Sequence, residues 1–175
     1  MRQVTVRMTA QGIDPENAYR RISDFRRYPE LTSTVHQVDV HPPRPDGSVV
    51  SEWTVAFRNG LMRWTERDVF SPLTHSIAFE QLTGDFETFE GTWACEPHRD
   101  GTTITFRASF DLGIPTLAEI LDPVAESTLR TNIEQIVQGL LGSESPVSVS
   151  PVSVSPVSVS PVAGSPAEFA DAAHG

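Results

Sequence analysis

The chain contains little cysteine and little positive charge, and both features restrict the classes of protein to which it can belong. Cys95 is the only cysteine among 175 residues, so an intramolecular disulfide is excluded and no cysteine cluster is present to hold a structural metal. A lone cysteine is typical of a reducing compartment, and we expect a cytoplasmic protein. The chain has 13 Lys and Arg against 23 Asp and Glu, a formal net charge of -10. Such an acidic surface disfavours nucleic acid and anionic lipid headgroups as partners.

Long apolar runs are also missing. No run approaches the roughly 20 residues that span a bilayer, and the amino terminus lacks the apolar core of a secretory signal. We therefore expect no membrane insertion. With 38% hydrophobic and 21% charged residues, the composition is that of a globular protein, and the length suits one ordinary domain.

The composition changes abruptly after Gly142. The motif Pro-Val-Ser-Val-Ser is repeated over residues 146–160. A proline at every fifth position excludes a helix or a central strand. The sequence thus predicts a globular domain over residues 1–142 and a disordered or extended tail over residues 143–175. The tail is interpreted as a solvated appendage, with a docking segment as the alternative.

Local signals near the amino terminus predict a strand followed by helical segments. Residues 3–8 alternate apolar and polar side chains with the period of a half-buried strand. Asp14 and Pro15 then suit the cap and the first position of a helix that runs to about Ser23. A second short turn or helix follows over residues 25–31, where Pro29 disfavours helical geometry at Tyr28.

A series of strands is predicted between Val35 and Leu112, because turn signals recur along this stretch. Asn59-Gly60 is the strongest hairpin signal, joining the predicted strands 49–58 and 61–70. Sequential hairpins of this kind form an antiparallel meander. The later strands are predicted near residues 75–82, 86–97 and 102–112.

Beyond Pro115 the apolar period changes from two to about 3.6, which predicts one long helix ending at Gly142. The apolar side chains of this helix form one stripe, which must be buried against the concave face of the sheet. We therefore predict an α+β helix-grip fold, in which a curved antiparallel sheet wraps around a long C-terminal helix and encloses an apolar cavity. The predicted stripe consists of Leu117, Ile120, Leu121, Leu129, Ile133, Ile136, Val137 and Leu140.

Alternation along residues 61–70 places Trp64 and Glu66 on the inner face, whereas the arginines point outward. Asp68 is on the same inner face but lies near the end of the strand. Its side chain could therefore point into the interior or lie at the rim. Gly91 beside bulky residues is expected to leave local space and thus to favour a cavity. The alternative is that these aromatic side chains are simply a core. The predicted interior includes Trp53, Val55, Phe57, Met62, Ile77, Phe79, Phe89, Trp93, Cys95, Ile104, Phe106, Ala108 and Phe110.

Glu66 is the most informative residue of this interior. A carboxylate that faces apolar side chains is desolvated, so its pKa is expected to rise into a range suited to a general acid or base. Two alternatives stay open: Glu66 pairs with an arginine, or it sits at a wet pocket mouth. No metal site is predicted because the histidines lack metal-ligand spacing, and no nucleophile elbow supports Ser-His-Asp chemistry.

Several short motifs occur in a recognisable order: Tyr28-Pro29-Glu30-Leu31, Gly84-Asp85-Phe86, Gly91-Thr92-Trp93, Gly101-Thr102 and Arg130-Thr131-Asn132-Ile133. On these motifs the chain resembles the START-like (SRPBCC, Bet v 1-like) superfamily. The resemblance is to the polyketide cyclase/dehydrase group, which includes aromatase/cyclases and coenzyme Q-binding START-like proteins. It covers residues 4–141 and excludes the tail.

The resemblance implies a pocket that shapes a reactive poly-β-ketone for aldol closure and dehydration. Tyr28 occupies the place of a pocket-lining aromatic residue, Trp64 matches a pocket tryptophan, and Asn132 matches the asparagine of the helix motif. Where the aromatase/cyclases have a serine and an arginine, this chain has Glu66 and Asp68. Without that arginine the fixed cation that would stabilise an enolate is missing.

The leading hypothesis is a cyclase of natural-product, for example antibiotic, biosynthesis that needs no cofactor or metal. Its partner would be a small hydrophobic polyketide-like or polyene molecule, and aldol and pericyclic closures both remain open. Glu66 is the predicted proton donor or acceptor and Tyr28 a hydrogen-bonding gate. The alternatives are a non-catalytic carrier of a lipid, quinone or hydrophobic metabolite, and a protein-interaction module that uses the tail. The oligomeric state stays open, a homo-oligomer included. The predicted substrate-binding residues are Trp53, Phe57, Met62, Trp64, Asp68, Phe79, Phe89, Trp93, Phe106 and Asn132.

Overall fold

A computed structural model describes residues 1–151, and its main feature is one eight-stranded antiparallel sheet. The strand order is β2-β3-β4-β5-β6-β7-β1-β8, so the predicted meander over residues 35–112 is confirmed. The strands are β1 (Arg2–Gln11), β2 (Val35–Val40), β3 (Val49–Phe57), β4 (Gly60–Ser71), β5 (Ser76–Gly84), β6 (Thr88–His98), β7 (Gly101–Asp111) and β8 (Val147–Val149).

Two short helices and one long helix complete the fold. Helix α1 (Pro15–Ser23) begins as predicted, because the Asp14 side chain accepts a 2.8 Å hydrogen bond from the Asn17 N–H. A 3-10 turn (Phe25–Arg27) leads into α2 (Tyr28–Leu31). A second 3-10 turn (Pro115–Leu117) precedes the 24-residue helix α3 (Ala118–Leu141), which packs against the concave face of the sheet. The predicted α+β helix-grip fold is confirmed.

Tyr28 is helical, so the prediction that Pro29 keeps it out of this conformation is wrong. Its backbone angles are φ -55° and ψ -46°. Pro29 lies in the first turn of α2, where a missing N–H needs no partner within the helix. The side chain of Tyr28 is buried and hydrogen-bonded, and this packing outweighs the local steric preference.

The hairpin between β3 and β4 forms one residue earlier than predicted. Phe57 pairs with Gly60, so the connecting residues are Arg58 and Asn59, and Arg58 has the positive φ of 55°. This register places Trp53 directly opposite Trp64 on the inner face.

Only part of the predicted stripe of α3 is buried. The first two turns of the helix contain no buried residue, and burial begins at Ala125. The prediction is therefore wrong for Leu117 and Ile120, whose exposed fractions are 44% and 68%. Helix α3 thus meets the concave face of the sheet only from Ala125 onward. Within residues 1–151, no helix combines the length and apolar composition needed to cross a membrane.

The start of the predicted tail belongs to the sheet. Strand β8 pairs with β1, and the Gln11 N–H donates to the Pro146 carbonyl at 3.0 Å while the Ser150 N–H donates to the Arg7 carbonyl at 2.9 Å. Prolines tolerate this position because β8 is a short edge strand and they flank it. The fold therefore continues past the predicted boundary at Gly142. Residues 152–175, the rest of the predicted tail, lie outside the described residues.

Removal of β8 is expected to weaken the fold. A chain ending at Gly142 should unfold in urea with a free energy about 2 kcal/mol lower than a chain ending at Pro151, because several backbone hydrogen bonds are lost. The bare edge of β1 should also promote self-association, which sedimentation velocity detects. Equal unfolding free energies for the two chains would show that β8 contributes nothing.

Candidate functional site

A small cavity of about 60 Å³ lies between the concave face of the sheet and α3. Its wall is mainly apolar, and apart from the Tyr28 hydroxyl and the tryptophan N–H groups its polar groups come from Glu66 and Asn132. The helix contributes Leu129, Ile133 and Ile136. Eight aromatic residues form the remainder of the wall together with Val55: Phe25, Tyr28, Trp53, Trp64, Phe79, Phe89, Trp93 and Phe106.

The structure brings nine of the twelve predicted site residues to this cavity and leaves three outside it. Phe57 and Met62 lie nearer the β3–β4 turn, and Asp68 lies beyond Glu66 along β4. Phe25 also lines the cavity, although the sequence analysis did not select it. Its spacing of three residues from Tyr28 in a predicted helical turn was the available signal. The nine residues are Tyr28, Trp53, Trp64, Glu66, Phe79, Phe89, Trp93, Phe106 and Asn132.

The cavity is much smaller than a typical ligand pocket of about 300–1,000 Å³. Gly91 does not leave the free space that was expected. A Cβ atom built at Gly91 would lie only 2.9 Å from the Phe79 ring and 2.0 Å from the Arg107 carbonyl oxygen. Phe79 fills this region and stacks on Phe106 with ring centroids 5.7 Å apart. A ligand larger than a few atoms therefore requires the walls to move apart.

Two stacked indole rings organise the polar groups of the site. Trp53 and Trp64 face each other across β3 and β4, with centroids 6.1 Å apart and planes 7° from parallel. The Trp64 indole N–H donates to Glu66 Oε2 at 2.6 Å. The Trp53 indole N–H donates to Ser51 Oγ at 2.8 Å, and the Ser51 hydroxyl donates to Asp68 Oδ2 at 2.6 Å. Both carboxyl groups are thus held by a fixed set of donors.

Glu66 and Asp68 form a buried acidic pair. Their exposed fractions are 5% and 0%, so the expectation of a wet pocket mouth for Glu66 and that of a rim position for Asp68 are both wrong. Burial, followed by the nearby charge of Asp68, raises the pKa of Glu66 well above its ordinary value. Burial also raises the pKa of Asp68, although hydrogen bonds with Glu66 and then with Ser51 oppose this shift. The raised pKa favours the protonated form of Glu66.

Tyr28 is a fixed part of the wall and not the predicted gate. Its hydroxyl donates to the Ile22 carbonyl at 2.5 Å, and the residue is only 2% exposed. Burial raises the pKa of this phenol well above its usual value. Because its single proton is already committed, Tyr28 has none to donate to a ligand. Asn132 donates to the Ala56 carbonyl at 2.7 Å, which leaves its amide oxygen for other partners.

Cys95 is buried close to the cavity, and burial raises the pKa of its thiol to about 12. A thiol of this kind is inert as a nucleophile. Residues 1–151 contain no group of three His, Cys, Asp or Glu side chains that could hold a metal ion. The titratable chemistry at the cavity thus rests with Glu66 and its partner Asp68.

The fold is that of a helix-grip protein, with a small apolar cavity between the sheet and the long helix. The model of the family described as polyketide cyclase/dehydrase and lipid transport matches residues 12–137, and the chain belongs to this family. None of the curated proteins matches the sequence.

Solved structures with the same fold share little sequence with this chain. TTHA0849 from Thermus thermophilus is 20% identical with a TM-score of 0.69, covering 82% of this chain and 99% of its own. A START superfamily protein from Mycobacterium smegmatis is 17% identical with a TM-score of 0.68, covering 81% and 97%. The ZhuI aromatase/cyclase from Streptomyces sp. R1128 is 16% identical with a TM-score of 0.65, covering 81% and 93%. At these identities the likeness establishes the fold.

Proposed function

We propose that this protein binds a polyketide-like or polyene intermediate in the aromatic cavity and promotes its ring closure, with Glu66 as the proton donor. The reaction would belong to cytoplasmic natural-product biosynthesis and would need no cofactor. The observation that carries the proposal is a buried carboxyl group set into an otherwise apolar wall, where burial raises its pKa well above the ordinary value. An acid held in its neutral form at neutral pH is ready to donate its proton to a bound molecule.

The arrangement around Glu66 supports acid catalysis over enolate chemistry. The Trp64 N–H donates to Glu66 Oε2, and Glu66 also hydrogen-bonds with Asp68. None of the described residues that line the cavity is positively charged, so an enolate would find no counter-charge there. When the O–H bond of Glu66 breaks and the proton moves to the substrate, positive charge develops on the substrate. Aromatic ring faces attract such a charge.

Ligand entry is assigned to the first two turns of α3. These turns contain no buried residue, so few packing contacts oppose their displacement. Pro123 lies inside this part of the helix and lacks the N–H that would bond to the carbonyl four residues earlier. Outward movement here would open the cavity near Leu129 and leave the sheet intact. The exposed side chains of Leu117 and Ile120 would then be free to contact the ligand.

The test is to recover the molecule that copurifies with the full chain and to follow its conversion. Native mass spectrometry and solvent extraction identify the molecule, and the purified wild type, Glu66→Gln and Glu90→Gln proteins are then compared. Glu90 is exposed on the outer face, so its variant matches the chemical change without touching the cavity. We expect the wild type and Glu90→Gln to yield a cyclised product, and Glu66→Gln to lower the rate at least about 100-fold. The same rate in all three proteins would contradict the proposal.

A carrier of a lipid, quinone or hydrophobic metabolite is the second candidate. The engagement of the Tyr28 hydroxyl with Ile22 favours it, because the site then holds fewer groups able to take part in chemistry. A carrier would release its molecule unchanged, and Glu66→Gln would retain that molecule as well as the wild type does. The extraction experiment therefore separates the two functions.

A further inference from the structure

The acidic pair and the two stacked indoles occupy neighbouring positions on the inner face of β3 and β4. Trp53 pairs with Trp64 and Ser51 pairs with Glu66, while Asp68 follows two residues further along β4. The indole N–H of Trp64 donates to Glu66, and that of Trp53 is connected to Asp68 through the Ser51 hydroxyl. Glu66 also hydrogen-bonds with Asp68, so one chain of hydrogen bonds connects all of these side chains.

A hydrogen bond between two carboxyl groups requires a proton on one of them, because ionised carboxyl oxygens only accept. Asp68 receives the Ser51 O–H on Oδ2, which stabilises its ionised form, whereas Glu66 faces the mainly apolar wall of the cavity. Asp68 Oδ1 is buried and has no other donor among the described residues. The proton of the pair therefore resides on Glu66, and Asp68 is its acceptor.

No cation within residues 1–151 compensates the charge of this pair. None of the ion pairs found there includes Glu66 or Asp68, and Arg67 points to the outer face, where it pairs with other acidic residues. Burial raises the pKa of Tyr28 on α2 and of Cys95 on β6, so both are neutral. Helix α3 brings only uncharged side chains to the cavity. The charge that acts on Glu66 is thus that of Asp68.

We infer that Asp68 is a positioning residue of the site: oriented by Ser51, it accepts the Glu66 O–H in the empty cavity and holds the transferable proton there until a bound molecule takes it. This inference rests on the proposed function, in which Glu66 donates that proton. Asp68 does not line the cavity, so it acts through Glu66.

The same contact accounts for the return of the proton. In the proposed reaction the O–H bond of Glu66 breaks, the proton bonds to the substrate, and the electron pair stays on the carboxylate. Loss of a proton from the cyclised cation to this carboxylate then restores Glu66. The neighbouring charge of Asp68 favours the return, because two ionised carboxyl groups in contact repel each other.

Carboxyl ¹³C NMR of the full chain, labelled in its aspartate and glutamate side chains, tests the inference without any ligand. In the wild type the Glu66 and Asp68 carbons should titrate as one coupled pair, with inflections at the same two pH values. Asp68→Asn keeps the shape of the side chain and removes its charge, so the upper Glu66 inflection should fall by at least about one pH unit. Asp39→Asn is the matched control, since Asp39 is exposed on β2.

The rate of ring closure gives a second readout. In Asp68→Asn the loss of rate at high pH should begin at least about one pH unit lower than in the wild type, because Glu66 loses its proton earlier. An equal loss of rate at every pH would overturn the inference, since a merely structural role has that result.

The wild-type titration needs no variant, so the test survives poor folding of Asp68→Asn. Independent single titrations of the two wild-type carbons, or an unchanged Glu66 titration in folded Asp68→Asn, would overturn the inference and leave the proposed function standing. The expected titrations in a wild type that closes no ring would support the pairing of Asp68 with Glu66 and overturn the proposed function.

Discussion

At pH 8 the Glu66→Gln variant is expected to unfold with a free energy about 1–4 kcal/mol higher than that of the wild type. The glutamine side chain introduced by Glu66→Gln has the shape of the protonated acid: its carbonyl can accept from the Trp64 N–H, and its amide can donate to the free oxygen of Asp68. The variant thus keeps the contacts of the native state and removes the titration of a buried carboxyl group. The unfolded wild type gains free energy by ionising Glu66 at pH 8, whereas the unfolded variant has no such group to ionise.

The sign of the effect follows from the raised pKa of Glu66. Above the ordinary carboxyl pKa the unfolded chain ionises freely, whereas the folded chain retains the proton because burial and Asp68 disfavour ionisation. The folded state therefore binds more protons, and stability falls as the pH rises from the ordinary carboxyl pKa towards the raised pKa. The loss is at most about 1.4 kcal/mol for each pH unit in that window. Below the ordinary pKa the wild type and the variant should be equally stable.

Urea unfolding of both proteins at pH 4, 6 and 8 measures this dependence. Glu90→Gln serves as the control, because Glu90 is exposed and should give a curve parallel to that of the wild type. Asp68→Asn should flatten the dependence, since the charge of Asp68 is the second cause of the shift. A constant difference between the wild type and Glu66→Gln at all three pH values would show that Glu66 ionises normally in the folded protein.

The faces of the strands could be predicted from the sequence, but the free space between them could not. Alternation correctly placed Trp53, Trp64 and Glu66 inside, because each strand has one buried face and the period of two is unambiguous. Cavity volume depends instead on which rotamers fill the interior. The ring of Phe79 occupies the space that Gly91 leaves, and no periodicity encodes that choice.

The two ends of α3 show a similar limit. The apolar period of 3.6 predicted a helix, and the helix is present, yet Leu117 and Ile120 follow the same period and are exposed. The apolar periodicity shows which face of the helix is apolar. It does not show how far along the helix the sheet extends to cover that face. After the helix, the proline repeat correctly excluded a central strand, whereas edge strand β8 satisfies the same constraint. Whether residues 147–149 pair with the sheet depends on the position of β1 in three dimensions, which the proline pattern does not encode.

Replacement of Phe79 by alanine is expected to convert the nearly filled interior into an open binding cavity. Phe79 is 6% exposed, meets Phe89 edge to face at a centroid distance of 5.1 Å, and stacks on Phe106 at 5.7 Å. Removal of a buried phenyl ring costs about 3–5 kcal/mol of stability, because the neighbouring side chains relax only partly. Urea unfolding measures this loss. The remaining space would join the existing cavity beside Glu66.

An apolar cavity of that kind binds benzene-sized molecules, and ligand binding to the folded state restores stability. Toluene at tenfold excess over its Kd should recover about 1.4 kcal/mol in Phe79→Ala and little in the wild type. Phe70→Ala is the matched control, since Phe70 lies on the neighbouring strand and does not line the cavity. Equal stabilisation of both variants by toluene would mean that the ligand enters elsewhere. Stabilisation confined to Phe79→Ala would show that ring packing, and not the frame of sheet and helix, sets the volume available to a ligand.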